Sequence, residues 1–343
     1  MAKRVNLPQS GRLTELDLVS YGRRGLHTPL EFSRAQLDQI GRTVRGAPEV
    51  MVKVSGGGKS AAAVTAHLSY IDRHGKLEVH TDRGEILQGK AVAAHLTGVW
   101  NLEAGRGQYR PEPEPGKIDR RPKQVHHTVF SMPRGTPPEK LLSATQKFAR
   151  EKFALRNRYA MVLHSDQGHP HVHLVVKAVS EQGERLYIRK ATLRAWREDF
   201  AKYLGELGLA ANATPTQLRG SSKERLRDGI YRALKRGQST FMRRKAEWVA
   251  TELLRGGLRG ESGKAKLLAT RERVIEDWYA TAANLRDQGE PQLAREVEGF
   301  VRRMPDVATS NERIARALLA QVTAQRSRAL SAERERSMED RAR

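Results

Sequence analysis

His164-Ser165-Asp166-Gln167-Gly168-His169-Pro170-His171-Val172-His173 places four histidines and an aspartate within ten residues. Both flanks are apolar and β-prone: Tyr159, Met161, Val162 and Leu163 before it, Leu174, Val175 and Val176 after it. Gly168 and Pro170 are turn formers, so the stretch predicts two antiparallel strands over 158–179 joined by a tight loop. A strand alternates faces with period two, so His164 shares a face with Asp166, and His171 with His173. A symmetric loop at 167–170 sets Asp166 opposite His171 and His164 opposite His173, with Cβ atoms roughly 4.5–5.5 Å apart. Three imidazoles and a carboxylate then share one patch. Three histidines with an open position suit a catalytic divalent metal, and Asp166 is placed to hold one imidazole through its second nitrogen. By ligand softness three nitrogens favour Zn, Mn, Ni or Co over Mg. The competing reading is a chance surface cluster of structural histidines.

Working outward, the spacing predicts an α+β region from 49 to about 210, with a central antiparallel sheet covered by helices. Glu49–Val54 reads as a strand, and residues 60–73 as a helix with Ala61, Val64, Leu68 and Ile71 on one face and Ser60 as its cap. His67 and Tyr70, three apart, are neighbours on that helix. The intervening Ser55-Gly56-Gly57-Gly58-Lys59-Ser60 lacks the first glycine of a Walker loop, since Lys53 stands there. It reads as a turn before a helix, with amides and Lys59 available to a DNA phosphate. A small hairpin follows at 76–87, a helix at 90–102 and an exposed loop at 105–123 rich in Pro, Gly, Arg and Glu. Gln124–Met132 is a strand containing His126 and His127, either of which is placed to border the histidine patch. Pro137–Phe153 and Thr192–Leu207 are amphipathic helices, and Arg185–Ile188 offers a further strand.

Residues 1–48 show few periodic patterns and read as a basic N-terminal arm, in which Arg23 and Arg24 are candidate phosphate contacts. After Gly220 strand patterns vanish. Candidate helices at 223–255, 263–288, 290–303 and 309–337 form an Arg-rich C-terminal region from 221 to 343, so the expected divisions are 1–48, 49–220 and 221–343.

The 343 residues carry 62 Lys and Arg against 39 Asp and Glu, a net charge of +23. The excess is spread along the chain, with 35 basic and 21 acidic residues in 1–220. Such a field points to nucleic acid as the partner, ahead of an anionic membrane surface. With no cysteine there is no disulfide and no thiolate metal site, which fits a reducing cytoplasm. No run of 18 apolar residues predicts membrane insertion.

Three blocks occur in a recognisable order. The first is Ala66-His67-Leu68-Ser69-Tyr70-Ile71-Asp72-Arg73-His74-Gly75-Lys76-Leu77; the second is His126-His127-Thr128-Val129-Phe130-Ser131-Met132-Pro133-Arg134-Gly135; the third is the histidine stretch. Together, over roughly residues 50–210, they resemble the MobP-type relaxases. These are plasmid mobilisation nucleases within the wider HUH endonucleases, whose His-hydrophobe-His triplet is here His171-Val172-His173. The resemblance implies nicking of one strand of supercoiled plasmid DNA at an origin of transfer, through a 5′-phosphotyrosine intermediate that is later religated. It implies Tyr70 as nucleophile, His164, His171 and His173 as metal ligands and Asp166 as supporting acid. Mg or Mn is the expected metal in use, with Zn, Ni or Co also suited. Relaxosome accessory proteins and a type IV coupling protein are the implied partners. The implied location is the bacterial cytoplasm, with export alongside the transferred strand. One position departs from the family: an Asn is common four residues after the last ligand, where Lys177 stands.

Two alternatives share part of this reading. A rolling-circle replication or transposition nuclease has the same chemistry and a different biology. A non-catalytic basic DNA-binding accessory protein would keep the histidines as structure. Taken alone, Tyr70 also reads as a helix tyrosine packing on the sheet.

Overall fold

The computed structural model describes residues 31–102, 119, 121–166, 168–216, 218–220 and 226–342. Arg23, Arg24, Gln167 and most of the loop at 105–123 lie outside them. The chain divides into two compact units, residues 42–214 and residues 1–41 with 215–343.

The first unit is α+β. Its elements are the end of α1 (Arg34–Val44), β1 (Met51–Gly56), α2 (Ala61–Ile71), β2 (Val79–Thr81), β3 (Ile86–Leu87), α3 (Val92–Val99), β4 (Val125–Ser131), α4 (Pro138–Phe153), β5 (Tyr159–His164), β6 (His171–Lys177) and α5 (Lys190–Glu206). The six strands form one sheet in the order β1-β4-β6-β5-β2-β3, with every adjacent pair antiparallel. Period-two alternation splits the sheet's residues between two cores. On one face Phe130, Val172, Leu174, Val176 and Met161 pack with Phe148, Phe153, Trp196 and Phe200 of α4 and α5. The rings of Phe130 and Phe148 lie 4.8 Å apart and those of Phe130 and Phe200 5.0 Å apart, tilted or edge-on as ring quadrupoles favour. On the other face Val125, Ala160, Val162 and Val175 meet Val64, Leu68 and Ile71 of α2 and Leu96 and Trp100 at α3.

Local chemistry explains the entry to α2. Ser60 caps it, accepting a hydrogen bond from Ala63 N at 3.2 Å. The glycines before it serve close packing. A Cβ on Gly57 would lie 2.5 Å from the Val125 carbonyl, and one on Gly58 2.5 Å from Val64 Cγ2. Lys59 donates its ammonium to the Asp119 carbonyl rather than standing open for a phosphate. At the exit, Arg73, His74 and Gly75 all have positive φ, near +57°, +57° and +82°. Only glycine takes this conformation without steric cost, and a Cβ on Gly75 would sit 2.3 Å from Gly89 C.

Three details differ from the sequence expectation. The stretch read as an arm contains α1, whose Ile40 and Val44 are buried. Arg185 forms an isolated bridge to Val179 rather than a strand. The helix expected over 223–255 is two helices, because Gly237 turns at φ +71° and Ser239 caps a new start.

The second unit is helical after residue 215. It comprises α6 (Asp228–Lys235), α7 (Thr240–Leu254), α8 (Ser262–Asp287), α9 (Pro291–Arg302) and α10 (Ser310–Ala342). Its centre holds Trp278, whose indole N–H donates to the Leu218 carbonyl at 2.9 Å. Among the described residues no helix is long and apolar enough to cross a membrane.

Candidate metal centre and nuclease site

β5 and β6 form the predicted hairpin, but in a different register. His164 pairs directly with His171, and Val162 with His173. The connection therefore spans 165–170, six residues instead of four, and Asp166 does not face His171. The slip is two residues, an even number, so the three histidines keep their common face. Their rings lie 4.7–5.0 Å apart in tilted, edge-on pairs. One nitrogen from each falls within 4.8 Å of the others, an arrangement suited to holding a metal ion.

Backbone carbonyls orient two of these rings. His164 Nε2 donates to the Ile71 carbonyl at 2.6 Å, and His171 Nδ1 to the His169 carbonyl at 3.1 Å. Each bond fixes a tautomer and leaves the opposite nitrogen with a bare lone pair. His173 Nδ1 is buried with no hydrogen-bond partner. Burial, then the surrounding imidazoles, push the His173 pKa down to about 3, and burial also lowers His164. Neutral imidazoles are what a cation needs as ligands, so the donor set fits a divalent ion.

Asp166 departs from its expected contact. With the loop lengthened it moves off the strand and pairs with Arg73 Nη2 at 2.7 Å, holding no imidazole. It still opposes charge near the cluster: it raises His164 where Arg73 lowers it. The Arg73–Asp166 pair joins the left-handed turn after α2 to the histidine loop. Arg134 joins the same loop from the turn after β4, through Nε to the Gly168 carbonyl at 3.2 Å.

Tyr70 ends α2 with 67% of its surface exposed, and its hydroxyl makes no hydrogen bond among the described residues. It immediately precedes Ile71, whose carbonyl holds His164, so tyrosine and imidazole share one stretch of backbone. Tyr159 is a buried sheet residue, whereas Tyr187 is exposed.

The doublet at 126–127 splits across the sheet. His126 Nε2 donates to the Leu186 carbonyl at 3.0 Å on the α5 side. His127 stacks on His67, ring centroids 3.5 Å apart and planes 7° from parallel. His67 in turn stands edge-on to His173 at 6.5 Å, and both stacked rings carry a buried Nε2 without a partner. The sequence reading missed this pair. Its trace was the parity of β4, which puts His127 opposite Val175 and hence on the face of His173. Lys177, at the position where the family commonly has Asn, is engaged with Glu181 at 2.9 Å.

The sheet carries a histidine hairpin on one strand pair, with the helix bearing Tyr70 beside it. Comparison with known proteins gives this arrangement a family likeness. A family model described as "Relaxase: MobA/VirD2-like, nuclease domain" matches residues 108–209, covering β4 to α5 and the whole hairpin but not α2. The chain is 26% identical over 210 residues to the T-DNA border endonuclease VirD2 of Agrobacterium fabrum, covering 57% of this chain and 46% of that protein. The VirD2 proteins of Rhizobium radiobacter and Rhizobium rhizogenes are 25% identical over 205 residues and 27% over 138, covering 56% and 37% of this chain and 47% and 30% of theirs. The hairpin-bearing domain is thus similar to the MobA/VirD2-like relaxase nuclease domains. The chain spans about half the length of the first two relatives.

Proposed function

We propose that this protein nicks one strand of plasmid DNA at an origin of transfer and later reseals it. The observation that carries the reading is the convergence of His164, His171 and His173 beside the backbone that bears Tyr70. In this reading the Tyr70 phenol oxygen attacks the scissile phosphorus. A P–O bond forms to Tyr70, the bond to the 3′ oxygen breaks, and the phenol proton is exchanged for one on the departing 3′ hydroxyl. The 5′ end stays on the tyrosine, and attack by a 3′ hydroxyl reverses the step. The ester keeps the energy of the phosphodiester, so resealing needs no ATP. His164, His171 and His173 hold a divalent ion, which when bound supplies charge neutralisation at the phosphate. Mg or Mn serves in use, and Zn, Ni or Co suits the donors. Asp166 is the supporting acid: it holds Arg73 at the mouth of the site and opposes the charge around His164. Arg73 and Arg134 are placed to meet phosphates of the bound strand.

The resemblance to MobP-type relaxases gives this chain its proposed partners: relaxosome accessory proteins and a type IV coupling protein. The proposed location is the bacterial cytoplasm, with passage alongside the transferred strand. The divisions at 1–48, 49–220 and 221–343 stand as proposed working boundaries.

The test uses supercoiled plasmid carrying the protein's candidate transfer origin, with Mg or Mn, stopped by detergent and protease. Open circles with a blocked 5′ end, absent in Tyr70→Phe and His171→Ala, are the expected result. Nicking that persists in EDTA overturns the metal. Tight binding with no break in any metal overturns the nuclease.

A further inference from the structure

The helical unit carries a second kind of surface. α7 turns Val249 and Glu252 inward, both buried. Beside that buried edge the helix presents Phe241, Arg244 and Trp248 to solvent, with Arg255 following at the C-cap. At 100° per residue these four fall in one stripe about 60° wide. Phe241 is 51% exposed and Trp248 46%, whereas Trp100, Trp196 and Trp278 are buried. A tryptophan at the surface of a chain that buries its other three needs a covering partner. Arg244 lies between the two rings and makes no hydrogen bond or ion pair among the described residues.

Charge decides what that partner is. Residues 226–260 hold nine Lys and Arg against three Asp and Glu. Glu252 is buried and tied to Arg255 and Arg259, and Glu247 lies 3.8 Å from Arg243. The outer field is therefore cationic, and it interrupts the apolar stripe, which suits neither an oily protein interface nor a self-complementary face. Aromatic faces alternating with guanidinium groups suit bases and phosphates. From Phe241 to Trp248 the helix rises about 10.5 Å, the length of about three stacked nucleotides.

We propose that the outer face of α7 is a sequence-tolerant binding strip for single-stranded nucleic acid. Bases stack on Phe241 and Trp248 while Arg244 neutralises a phosphate. The choice of DNA as the probe rests on the proposed function; the strip itself does not.

The test reads Trp248 fluorescence in the full chain during titration with oligothymidylate of about 15 nucleotides. Parallel arms use an abasic oligomer of equal length and charge, and heparin. Quenching by oligothymidylate, lost in Trp248→Phe, is expected, with affinity at least ~10-fold above the abasic oligomer. Phe241→Ala with Trp248→Ala, followed by the anisotropy of end-labelled oligomers because the reporter is gone, removes that preference, and Arg244→Gln lowers the salt slope by about one. The spectrum of the buried tryptophans reports whether each variant is folded. Equal affinity for the abasic oligomer, or an unchanged preference in the double variant, overturns the strip. So does quenching that rises with protein concentration alone, which marks a self-association face. Plasmid nicking is assayed on the same samples. Nicking without the base preference overturns the strip alone, and the preference without nicking overturns only the nuclease reading.

Discussion

The histidine hairpin and the outer face of α7 both arise from a residue period, but they put it to opposite uses. Period two on adjacent strands folds ten residues of sequence onto one point, where three imidazoles crowd together. The helical period lays Phe241, Arg244, Trp248 and Arg255 out along a line. A sheet thus concentrates chemistry, and a helix face distributes contact. Point sites are expected to fail abruptly when one residue changes, and line sites to weaken by degrees.

The largest expected effect is therefore at the point site. Tyr70→Phe, which removes only the proposed attacking oxygen, is expected to leave no detergent-resistant covalent protein–DNA adduct. An adduct that survives moves the nucleophile elsewhere. Next comes His173→Ala, expected to cut nicking by roughly 10²–10³, the scale of losing one stabilising group at the phosphate. Isothermal titration with Mn should show the matching loss of metal affinity, and an unchanged affinity separates the cluster from the metal. Arg73→Gln and Asp166→Asn follow at about 10-fold to 100-fold in nicking rate, since both act through other groups. Similar losses in the two single variants, with little more in the double, identify the pair as one unit. Additive losses mean the contact at 2.7 Å is incidental.

The smallest effect is on stability. Burial holds His127 and His173 neutral in the folded chain down to about pH 3, and it also lowers His67, His80, His126 and His164. Unfolded imidazoles take protons near pH 6.5. Between these values the unfolded state binds more protons, so stability rises with pH and is lost on acidification through that window. Each such group contributes at most about 1.4 kcal/mol per pH unit. Metal-free protein should therefore melt at lower temperature near pH 5 than near pH 7.5. His127→Gln should flatten the slope, and a melting temperature independent of pH would contradict the burial assigned here.

Much of the sheet unit was legible because its strands and helices obey simple periods: Leu68, Phe148 and Val175 all lie where the pattern puts them. What failed was loop length. A four-residue connection was assumed, whereas the loop runs through Gly168, at φ +31°, to Pro170 and takes six. The histidines tolerate that error because two residues restore the face, but Asp166 does not, because a loop carries no face. α1 was missed for a different reason. Leu37, Ile40 and Val44 have helical spacing, but Gly41, Thr43 and Val44 are weak helix formers and Gly46 and Pro48 follow closely. Packing of Ile40 and Val44 stabilises what propensity does not.

The span of the connection between β5 and β6 also bears on how the site comes into being. The three clustered histidines lie at most nine positions apart, so they meet through a local hairpin, an event of roughly 1–10 μs. The Ile71 carbonyl that steadies His164 lies 93 residues earlier, and closing that loop awaits most of the sheet. Ligand set and nucleophile are then expected to assemble in separate stages during synthesis and folding. On the proposed reading, an immature chain would be able to capture an ion before Tyr70 stood in place beside it.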